Sequence, residues 1–428
     1  MLHRCVIYGL IVCGFIIYIT MDMPLSLLYS YSHTVGEMRG KAVAANNARV
    51  ILAKEYIKRI ESSMASKLTI TGTELDLVVM IVSVSRQQHK NASYLLQTAA
   101  SMHNLLIQDT LFQRKTMFIC NVDPTPSQNN DAELLQSHVY FINKVSLLNN
   151  MGIQSMASAR LVNSGLKDPA RMKEIEDYVF CLNVSLSLKP RYILALEDDV
   201  LPTHDLFPIL NYTLTEINKN NVRTSSRKTD TRRHPGFSFL KLYYPARWQG
   251  YELDFNTILE LSVVFCLGFG ISVLLELCSV RSRKHFGNCK THDRKYRHDS
   301  TRLTRNQLAC VMGVVCVICV SIIGRVNFIE FRRFTPRLMQ LTRSRACCTQ
   351  AMVYPAEIVP TLVRHLVVNN TLNKDLAIYD FSVKYEIPGY QLQPNMFHHT
   401  GMTTSLSNIT KHPEEFLLKV HPSIFSPE

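Results

Sequence analysis

The stretch that decides the fold is RYILALEDDVLP, residues 191–202. Its apolar part, residues 192–196, is typical of a buried strand. Three carboxylates follow without a break: Glu197, Asp198 and Asp199. Neighbouring like charges repel each other, so such a triplet needs either open water or a counter-ion. In open α/β sheets, ligands bind beyond the carboxyl ends of parallel strands, and these acids stand at such an end.

Segments with strand-like and helix-like patterns alternate along the chain around this stretch. Residues 74–84 and 114–124 are β-branched, apolar runs that indicate strands, and residues 168–188 indicate a helix that begins near a proline. The alternation predicts a mainly parallel sheet in an α/β domain of the Rossmann type. A chain of 428 residues is long enough for one large domain or two medium ones.

The acidic triplet itself predicts a metal site. Carboxylates at a strand end can hold a hard divalent cation, Mn²⁺ or Mg²⁺, which in turn neutralises a substrate diphosphate. We predict Glu197 and Asp199 as metal ligands and Asp198 as a residue that binds the cofactor. The alternative, from residue types alone, is a solvated acidic turn or the start of a helix.

A net charge of +13 favours binding to a nucleic acid or to an anionic membrane surface. The position of the positive residues in the sequence distinguishes these two partners. Residues 281–305 contain nine Lys and Arg against two acids, and this run lies between two apolar segments. Such a run is typical of a cytosolic loop between membrane spans. We therefore predict a membrane-embedded protein with no nucleic-acid partner.

Three apolar segments, residues 5–21, 257–280 and 307–324, approach the length that a bilayer span requires. A cleaved signal peptide is the alternative for the first segment, but no small-x-small site follows it promptly. With the basic loop in the cytosol, the regions before and after the second and third spans lie in the lumen. All five glycosylation sequons fall in those regions: Asn91, Asn183, Asn211, Asn369 and Asn408.

Neither lumenal half looks complete, which favours one domain interrupted by a two-helix membrane insertion over two separate domains. The predicted organisation is a cytosolic N-terminus (1–4), an anchor (5–21), a lumenal helical stem (22–72), a first catalytic part (73–256), a span (257–280), a cytosolic loop (281–306), a span (307–324) and a second catalytic part (325–428). The lumenal cysteines are Cys120, Cys181, Cys347 and Cys348, enough for two disulfides. Because Cys347 and Cys348 are adjacent, we expect them to bond to different partners.

An N-terminal anchor, an α/β domain and an acidic motif after a strand resemble a Golgi glycosyltransferase of the GT-A fold. The membrane hairpin and five segments sharpen this resemblance: LALEDDVLP, LKLYYPARWQGY, CCTQAMVYPA, KDLAIYDF and PNMFHHTGMTTSL. Together they resemble the GPI-anchor N-acetylgalactosamine transferases, which are post-GPI-attachment-to-proteins factors, over most of residues 75–406. The resemblance implies transfer of N-acetylgalactosamine from UDP-GalNAc to the first mannose of GPI anchors. It also implies a multi-pass Golgi membrane protein, with GPI-anchored proteins as acceptors and residues 197–199 as the family's Glu-Asp-Asp motif.

Four further residues fit a site of this kind. Ser83 and Arg86 end the first strand, where such folds hold the nucleotide; Arg86 can pair with phosphate, or else lie on the surface. His399, in FHHTG, resembles a late His-x-Gly element and is expected at the metal or diphosphate, the alternative being a packed histidine. An inverting transfer requires a general base, for which we favour Asp375 over Asp380, although Asp375 could equally cap a helix.

Two other functions remain open. A branching N-acetylglucosaminyltransferase of N-glycans shares the late FHHTG pattern, but a soluble glycan gives no reason for a membrane hairpin inside the domain. A non-catalytic lumenal adaptor could keep the fold without turnover, although the presence of all three acids argues against it.

Overall fold

The computed structural model describes residues 14–62, 74–85, 92–126, 129–137, 139–150, 169–225, 236–252, 254–286, 305–369, 372–402, 411–417 and 421–426. The chain divides into two compact units. Unit 1 comprises Met1–Thr34 and Ala246–Phe331, and unit 2 comprises Val35–Pro245 and Arg332–Glu428. Most of the predicted anchor lies outside the described residues; residues 14–21 are helical.

Unit 2 contains ten strands among its described residues. In chain order they are β1 (Leu75–Ser83), β2 (Lys115–Asn121), β3 (Tyr140–Asn143), β4 (Pro190–Glu197), β5 (Val200–Pro202), β6 (Phe239–Lys241), β7 (Gln340–Arg343), β8 (Ala351–Pro355), β9 (Gly389–Gln393) and β10 (Phe397–His399). Eight of them form one sheet in the order β3-β2-β1-β4-β8-β6-β9-β7, and β5 pairs with β10.

The helices complete the two units. They are α1 (Tyr29–Ser32), α2 (Val35–Ser62), α3 (Tyr94–Gln108), α4 (Asn130–Leu135), α5 (Lys144–Asn150), α6 (Pro169–Ser187), α7 (Leu206–Ser225), α8 (Phe255–Phe286), α9 (Arg305–Ile323), α10 (Arg325–Ile329), α11 (Val359–Val368) and α12 (Lys374–Lys384). Helices α1, α8, α9 and α10 belong to unit 1 and the others to unit 2.

The eight-stranded sheet contains strands from both sides of the apolar hairpin. β1 to β4 are parallel to one another, whereas β8, which follows the hairpin, pairs antiparallel with β4. β8 also pairs antiparallel with β6, and β6 is parallel to β9. The sheet is thus mostly parallel, as expected, with antiparallel pairs around β8 and β7, and the two halves of the chain build it together.

The burial of the central strand β1 on both faces of the sheet accounts for its apolar sequence. Leu77, Val79 and Ile81 lie in the core on one face of the sheet, and Val78 and Met80 lie in the core on the other face. Because both faces are covered, the strand has no solvent side and reads as a continuous apolar run. Such a strand holds its carboxyl end rigidly in place, which matters for the acids that follow β4 beside it.

Helix α2 is part of unit 2, not a spacer outside it. Tyr56 and Ile57 are buried in the main core of this unit. The Tyr56 hydroxyl lies 2.8 Å from His103 Nδ1, and Arg49 donates to Gln97 Oε1 on α3 at 3.0 Å. The predicted helical stem therefore packs against the α/β domain, because one face of α2 is apolar enough to bury.

Unit 1 contains the two helices, among the described residues, that are long and apolar enough to cross a membrane. Their apolar stretches are Phe255–Cys278 and Asn306–Ile323. Glu260 lies inside the first stretch, where an isolated charge would be costly. Arg325 donates to both of its carboxylate oxygens at 2.8 Å, and each side chain is largely buried. The bidentate pair compensates the charge and ties α10 to α8.

The disulfide pairing differs from the expectation. Cys120 on β2 bonds to Cys181 on α6, and Cys347 bonds to Cys348. The expectation that the adjacent cysteines bond to different partners is wrong. Cys120 and Cys181 are both fully buried in the core cluster between β2 and α6, so tertiary packing makes them partners and leaves the adjacent pair to each other.

Candidate active site

The carboxyl ends of three neighbouring strands, β2, β1 and β4, form the edge of the sheet that carries the acids. Val82 on β1 is in register with Glu197 on β4, and Ser83 is in register with Asn121 on β2. Because the strands are parallel, their ends meet at one edge, where Asp198 and Asp199 form a tight turn into β5. Both aspartates are buried, as is Ser83.

Asp198 is fixed by contacts from β1 and α3. The Ser83 hydroxyl donates to Asp198 Oδ2 at 3.0 Å and accepts from Asn129 Nδ2 at 3.1 Å. The Thr98 hydroxyl lies 2.8 Å from the carbonyl oxygens of both Asp198 and Val200. The sequence-predicted residues Ser83 and Asp198 therefore touch, and the turn that carries the acids is held on two sides.

Asp199 meets the late histidine motif. β10 pairs antiparallel with β5 so that His399 is in register with Val200. His399 Nε2 lies 3.1 Å from Asp199 Oδ2, and the Thr400 backbone N–H donates to the Asp199 carbonyl at 2.8 Å. Gly401 closes over the same carboxylate: a Cβ placed there would lie 1.9 Å from Asp199 Oδ2. The glycine in FHHTG is thus required by the close approach of its backbone to Asp199.

The surroundings of His399 are aromatic and basic. Its ring lies 5.7 Å from the Tyr243 ring and 5.8 Å from the Phe416 ring, and Lys411 Nζ lies 3.2 Å from its Nε2. Burial, followed by the charges of Glu415 and Asp199, raises the pKa of Tyr243 well above its ordinary value, so its hydroxyl stays protonated. These groups exclude water from one side of the Asp199–His399 pair.

His398, for which the sequence indicates no role, belongs to different surroundings. Burial lowers its pKa to about 4, an effect strengthened by Arg333 and Arg49 and opposed by Asp205. Its Nδ1 is buried without a hydrogen-bond partner among the described residues. His398 is therefore neutral at physiological pH.

Glu197 is one of two half-buried glutamates that pair with a buried lysine. Lys374, the first residue of α12, contacts Glu197 Oε1 at 3.0 Å and Glu174 Oε1 at 2.8 Å. Burial alone would lower the pKa of Lys374, but the charges of Glu197, Glu174 and Asp375 raise it well above its ordinary value. The lysine is a permanent cation that fixes the direction of the Glu197 carboxylate.

Asp375 lies at the same edge of the sheet, where its carboxylate is hydrogen-bonded to the loop that precedes β8. Its Oδ2 accepts from the Cys348 backbone N–H at 2.7 Å, and its Oδ1 lies 2.8 Å from the Thr349 hydroxyl. That hydroxyl is also 3.3 Å from Glu197 Oε1, so one threonine joins the two carboxylates. The N-cap of α12 is Asn373, so Asp375 is not the helix cap that its sequence position allowed.

For two other expected or possible site residues, the structure shows no place at this edge: one is not described and one lies elsewhere. Arg86 lies outside the described residues. Asp380, the second candidate base, faces away along α12 and lies 3.2 Å from His365 Nε2. Of the seven predicted site residues, six are described, and they form three linked clusters around Asp198, Asp199 and Glu197.

The sequence can also be compared with known protein families. The family model described as GPI-N-acetylgalactosamine transferase PGAP4 matches residues 77–398, three quarters of the chain. The chain belongs to this family. The match extends from β1 into β10 and so includes both apolar helices as well as Ser83, Asp375 and the acidic triplet. PGAP4 family membership makes the chain a glycosyltransferase.

Several residues of this PGAP4-family site were missed by sequence reasoning. Lys374, Thr349 and Lys241 are examples: each touches the site only because the sheet brings distant segments together. Lys241 donates to the carbonyl oxygens of Arg345, at 2.9 Å, and of Cys347. One available signal was Lys374 itself, since a lysine at the first position of a helix opposes the helix dipole and requires an acidic partner.

The donor set of the site suits a hard divalent cation. Carboxylate oxygens and one imidazole nitrogen are ligands that Mn²⁺ and Mg²⁺ accept. Asp199 Oδ2 and His399 Nε2 lie close together, and the space that a side chain at position 401 would fill is occupied by the Asp199 carboxylate. Glu197 reaches the same edge with Oε1 held by Lys374. Asp199 and His399 therefore fit the predicted metal as a pair, but among the described residues no group of three ligand atoms within 4.8 Å of one another includes Glu197 with them.

Proposed function

We propose that this chain transfers N-acetylgalactosamine from UDP-GalNAc to the first mannose of GPI anchors, with inversion and with the aid of a divalent metal. One observation carries this proposal: the sheet brings the acidic triplet, Ser83, His399 and Asp375 to a single edge. The family supports the transferase activity and the GPI acceptor. The strand order and the acid-bearing turn after β4 support a domain of the GT-A type.

The metal would be held by Asp199 and His399, with Glu197 at the same edge of the sheet and Asp198 oriented by Ser83 toward the nucleotide. When bound, Mn²⁺ or Mg²⁺ supplies positive charge that stabilises the departing diphosphate. Lys374 keeps Glu197 turned to the site, and the Asp199 carboxylate is confined between Gly401 and His399. The protein's own contribution is to hold these ligands in place before the donor arrives.

Asp375 would accept the proton of the attacking mannose hydroxyl. Each of its oxygens receives one hydrogen bond, from Cys348 N–H and Thr349 Oγ1, and each retains a further lone pair. These bonds fix the carboxylate against the loop that precedes β8, so it is not free to rotate. A base must be held within hydrogen-bond reach of the proton that it removes, and a fixed carboxylate meets that requirement.

The setting that we propose is the Golgi membrane, with unit 2 in the lumen. Unit 1 supplies two helices able to span a bilayer, and the basic run of residues 281–305 connects them. Both disulfides of unit 2 suit an oxidising compartment. An enzyme that modifies a lipid-anchored glycan works at the bilayer surface, where a domain interrupted by a membrane hairpin is retained.

The test is transfer by the purified full-length chain with a panel of UDP-sugars and a GPI-like mannose acceptor, with Mn²⁺ or with EDTA. We expect UDP release and product only from UDP-GalNAc, lost with EDTA and in Asp199→Ala. Asp375→Asn should lose the transfer step but still bind UDP-GalNAc, whereas Asp380→Asn is the matched control and should remain active. Asp76→Ala, at the opposite end of β1, controls for the loss of an acid elsewhere on the sheet.

Other outcomes would assign a different function. Metal-dependent release from UDP-N-acetylglucosamine with an N-glycan acceptor would support the branching transferase. Neither binding nor turnover with any donor, in a chain that melts cooperatively, would favour the adaptor. Full activity of Asp375→Asn would exclude this residue as the base.

A further inference from the structure

A short segment directly after the second apolar helix combines exposed apolar side chains with arginines. We define the docking segment as residues 334–343, from Phe334 through the 3₁₀ turn Pro336–Leu338 to the end of β7. Phe334 is 83% exposed, Leu338 54% and Leu341 36%. Large apolar side chains at such exposure, clustered within eight residues, indicate a surface that meets something other than water.

The charged residues within the sequence of the docking segment and its immediate neighbours have one sign. Residues 332–345 contain five arginines and no acidic residue. Arg337 and Arg343 are exposed, and Arg343 stacks 5.4 Å above the Tyr390 ring. Exposed aromatic and aliphatic side chains interleaved with arginine are the composition that lies in the headgroup region of a bilayer. The phosphates of lipid headgroups complement the arginines.

The chain itself places this segment near a membrane. α9, which can span a bilayer, ends at Ile323, and Phe334 follows eleven residues later. The chain before the hairpin shows the same composition, because Trp248 and Phe255 are 54% and 78% exposed where α8 begins. Aromatic residues flanking a span mark the membrane–water interface. The docking segment is therefore close in sequence to a helix that can span a bilayer and shares the composition of the residues that flank the other one.

Arg333 joins the docking segment to the active site. Its guanidinium donates to Asp205 Oδ1 and Oδ2 at 3.0 and 3.1 Å and to the Asn395 carbonyl oxygen. Asp205 follows Asp199 by six residues, and Asn395 precedes His399 by four. One arginine thus holds the segment that follows β5 and the segment that precedes β10, at the end of this strand pair opposite to Asp199 and His399. The next residue, Phe334, is exposed.

We propose that the docking segment lies in the headgroup region of the bilayer and, through Arg333, sets the height above the membrane of the β5–β10 strand pair, whose other end carries Asp199 and His399. The occupant of this surface is the lipid interface itself. The consequence for acceptor choice rests on the proposed function: an active site held at a set height favours a mannose on a membrane-anchored glycan over the same mannose in solution. The docking itself does not depend on the proposed function, because it is inferred from the exposure and composition of residues 334–343.

The direct test measures lipid contact without activity. The full chain is reconstituted into phosphatidylcholine nanodiscs in a Trp248→Phe background, which removes the sole tryptophan. Phe334→Trp reports on the docking segment, and Val368→Trp, at a 74% exposed position of unit 2 on α11, is the matched control. Leu338→Trp is the second reporter if Phe334→Trp does not fold. We expect brominated phosphatidylcholine to quench the docking-segment reporter strongly and the control weakly, with acrylamide doing the reverse.

Each alternative result would overturn the proposal. Equal quenching of both reporters by acrylamide, and none by brominated lipid, would show a segment in water. Protection of the docking-segment reporter from both quenchers would show a protein partner, such as a second copy of the chain, instead of lipid.

The functional consequence is tested by the double variant Phe334→Ser, Leu338→Ser, with Val368→Ser as control. We expect KM for a bilayer-anchored mannose acceptor to rise roughly threefold to tenfold, and kcat/KM for a soluble mannoside to stay unchanged. An equal loss on both acceptors would contradict the docking role. Wild-type protein inactive on both acceptors would refute the proposed function and leave the quenching result standing.

Discussion

The substitution Gly401→Ala tests whether the position of the Asp199 carboxylate matters for activity. The added Cβ would lie 1.9 Å from Asp199 Oδ2 and 2.8 Å from its Cγ. Real Cβ contacts do not fall below 3.0 Å, so the carboxylate must move by roughly 1 Å. The backbone of Gly401 does not require a positive φ, so alanine adds no conformational strain of its own.

A displacement of this size breaks the 3.1 Å contact between Asp199 and His399 and misplaces two of the proposed metal ligands. Misplacement by 1 Å costs about 100-fold in rate, or about 2.7 kcal/mol of transition-state stabilisation. We therefore expect kcat/KM for UDP-GalNAc to fall by about 100-fold and the half-saturating Mn²⁺ concentration to rise.

The assay is UDP release by the detergent-solubilised full chain at increasing Mn²⁺, beside a thermal melt of each variant. Gly250→Ala is the control, since nothing lies within 4 Å of a Cβ at that glycine. A Gly401→Ala enzyme that melts like wild type and keeps kcat/KM within about threefold, with the same Mn²⁺ requirement, would refute the reasoning.

Three further predictions concern the residues that support the site. Lys374→Met should destabilise unit 2 by about 1–3 kcal/mol, because Glu197 loses its buried cation; Lys374→Arg should recover much of the loss in paired melts. Burial lowers the pKa of Lys241 from 10.5 to about 8, so the unfolded chain binds this proton more tightly than the folded chain. Melts at pH 8 to 10.5 should therefore show wild type gaining up to about 3 kcal/mol over Lys241→Met, and a constant difference would contradict the shift. Replacing Cys120 and Cys181 by serine opens a crosslink between residues 61 apart and should cost about 4 kcal/mol, measured by melting under non-reducing conditions.

Much of the fold is predictable from local pattern. The buried strand before the acids, the helix from a proline at residue 169 and the two apolar helices each have a signal within their own residues. Such signals are reliable because periodicity and apolar length depend on near neighbours only. The helix α2, within the predicted stem, has a helical pattern of its own, but that pattern does not reveal what its apolar face packs against.

The site is predictable only in part. Residue types and strand context indicated Glu197, Asp198 and Asp199, and the resemblance indicated His399; the structure places His399 beside Asp199. The pairing of Cys347 with Cys348 and the contacts of Asp375 with Cys348 and Thr349 depended on packing and were not foreseen.

What the sequence determines by itself is the set of elements and the chemistry at the end of β4, since both are written in consecutive residues. What tertiary structure decides is which distant residues complete that chemistry. His399 reaches Asp199 across 200 residues, and Lys374 reaches Glu197 across 177. Both contacts exist because the strands and helix after the apolar hairpin return to the same edge of the sheet, with β8 pairing against β4. No local pattern encodes that return; it follows from burying both faces of one sheet.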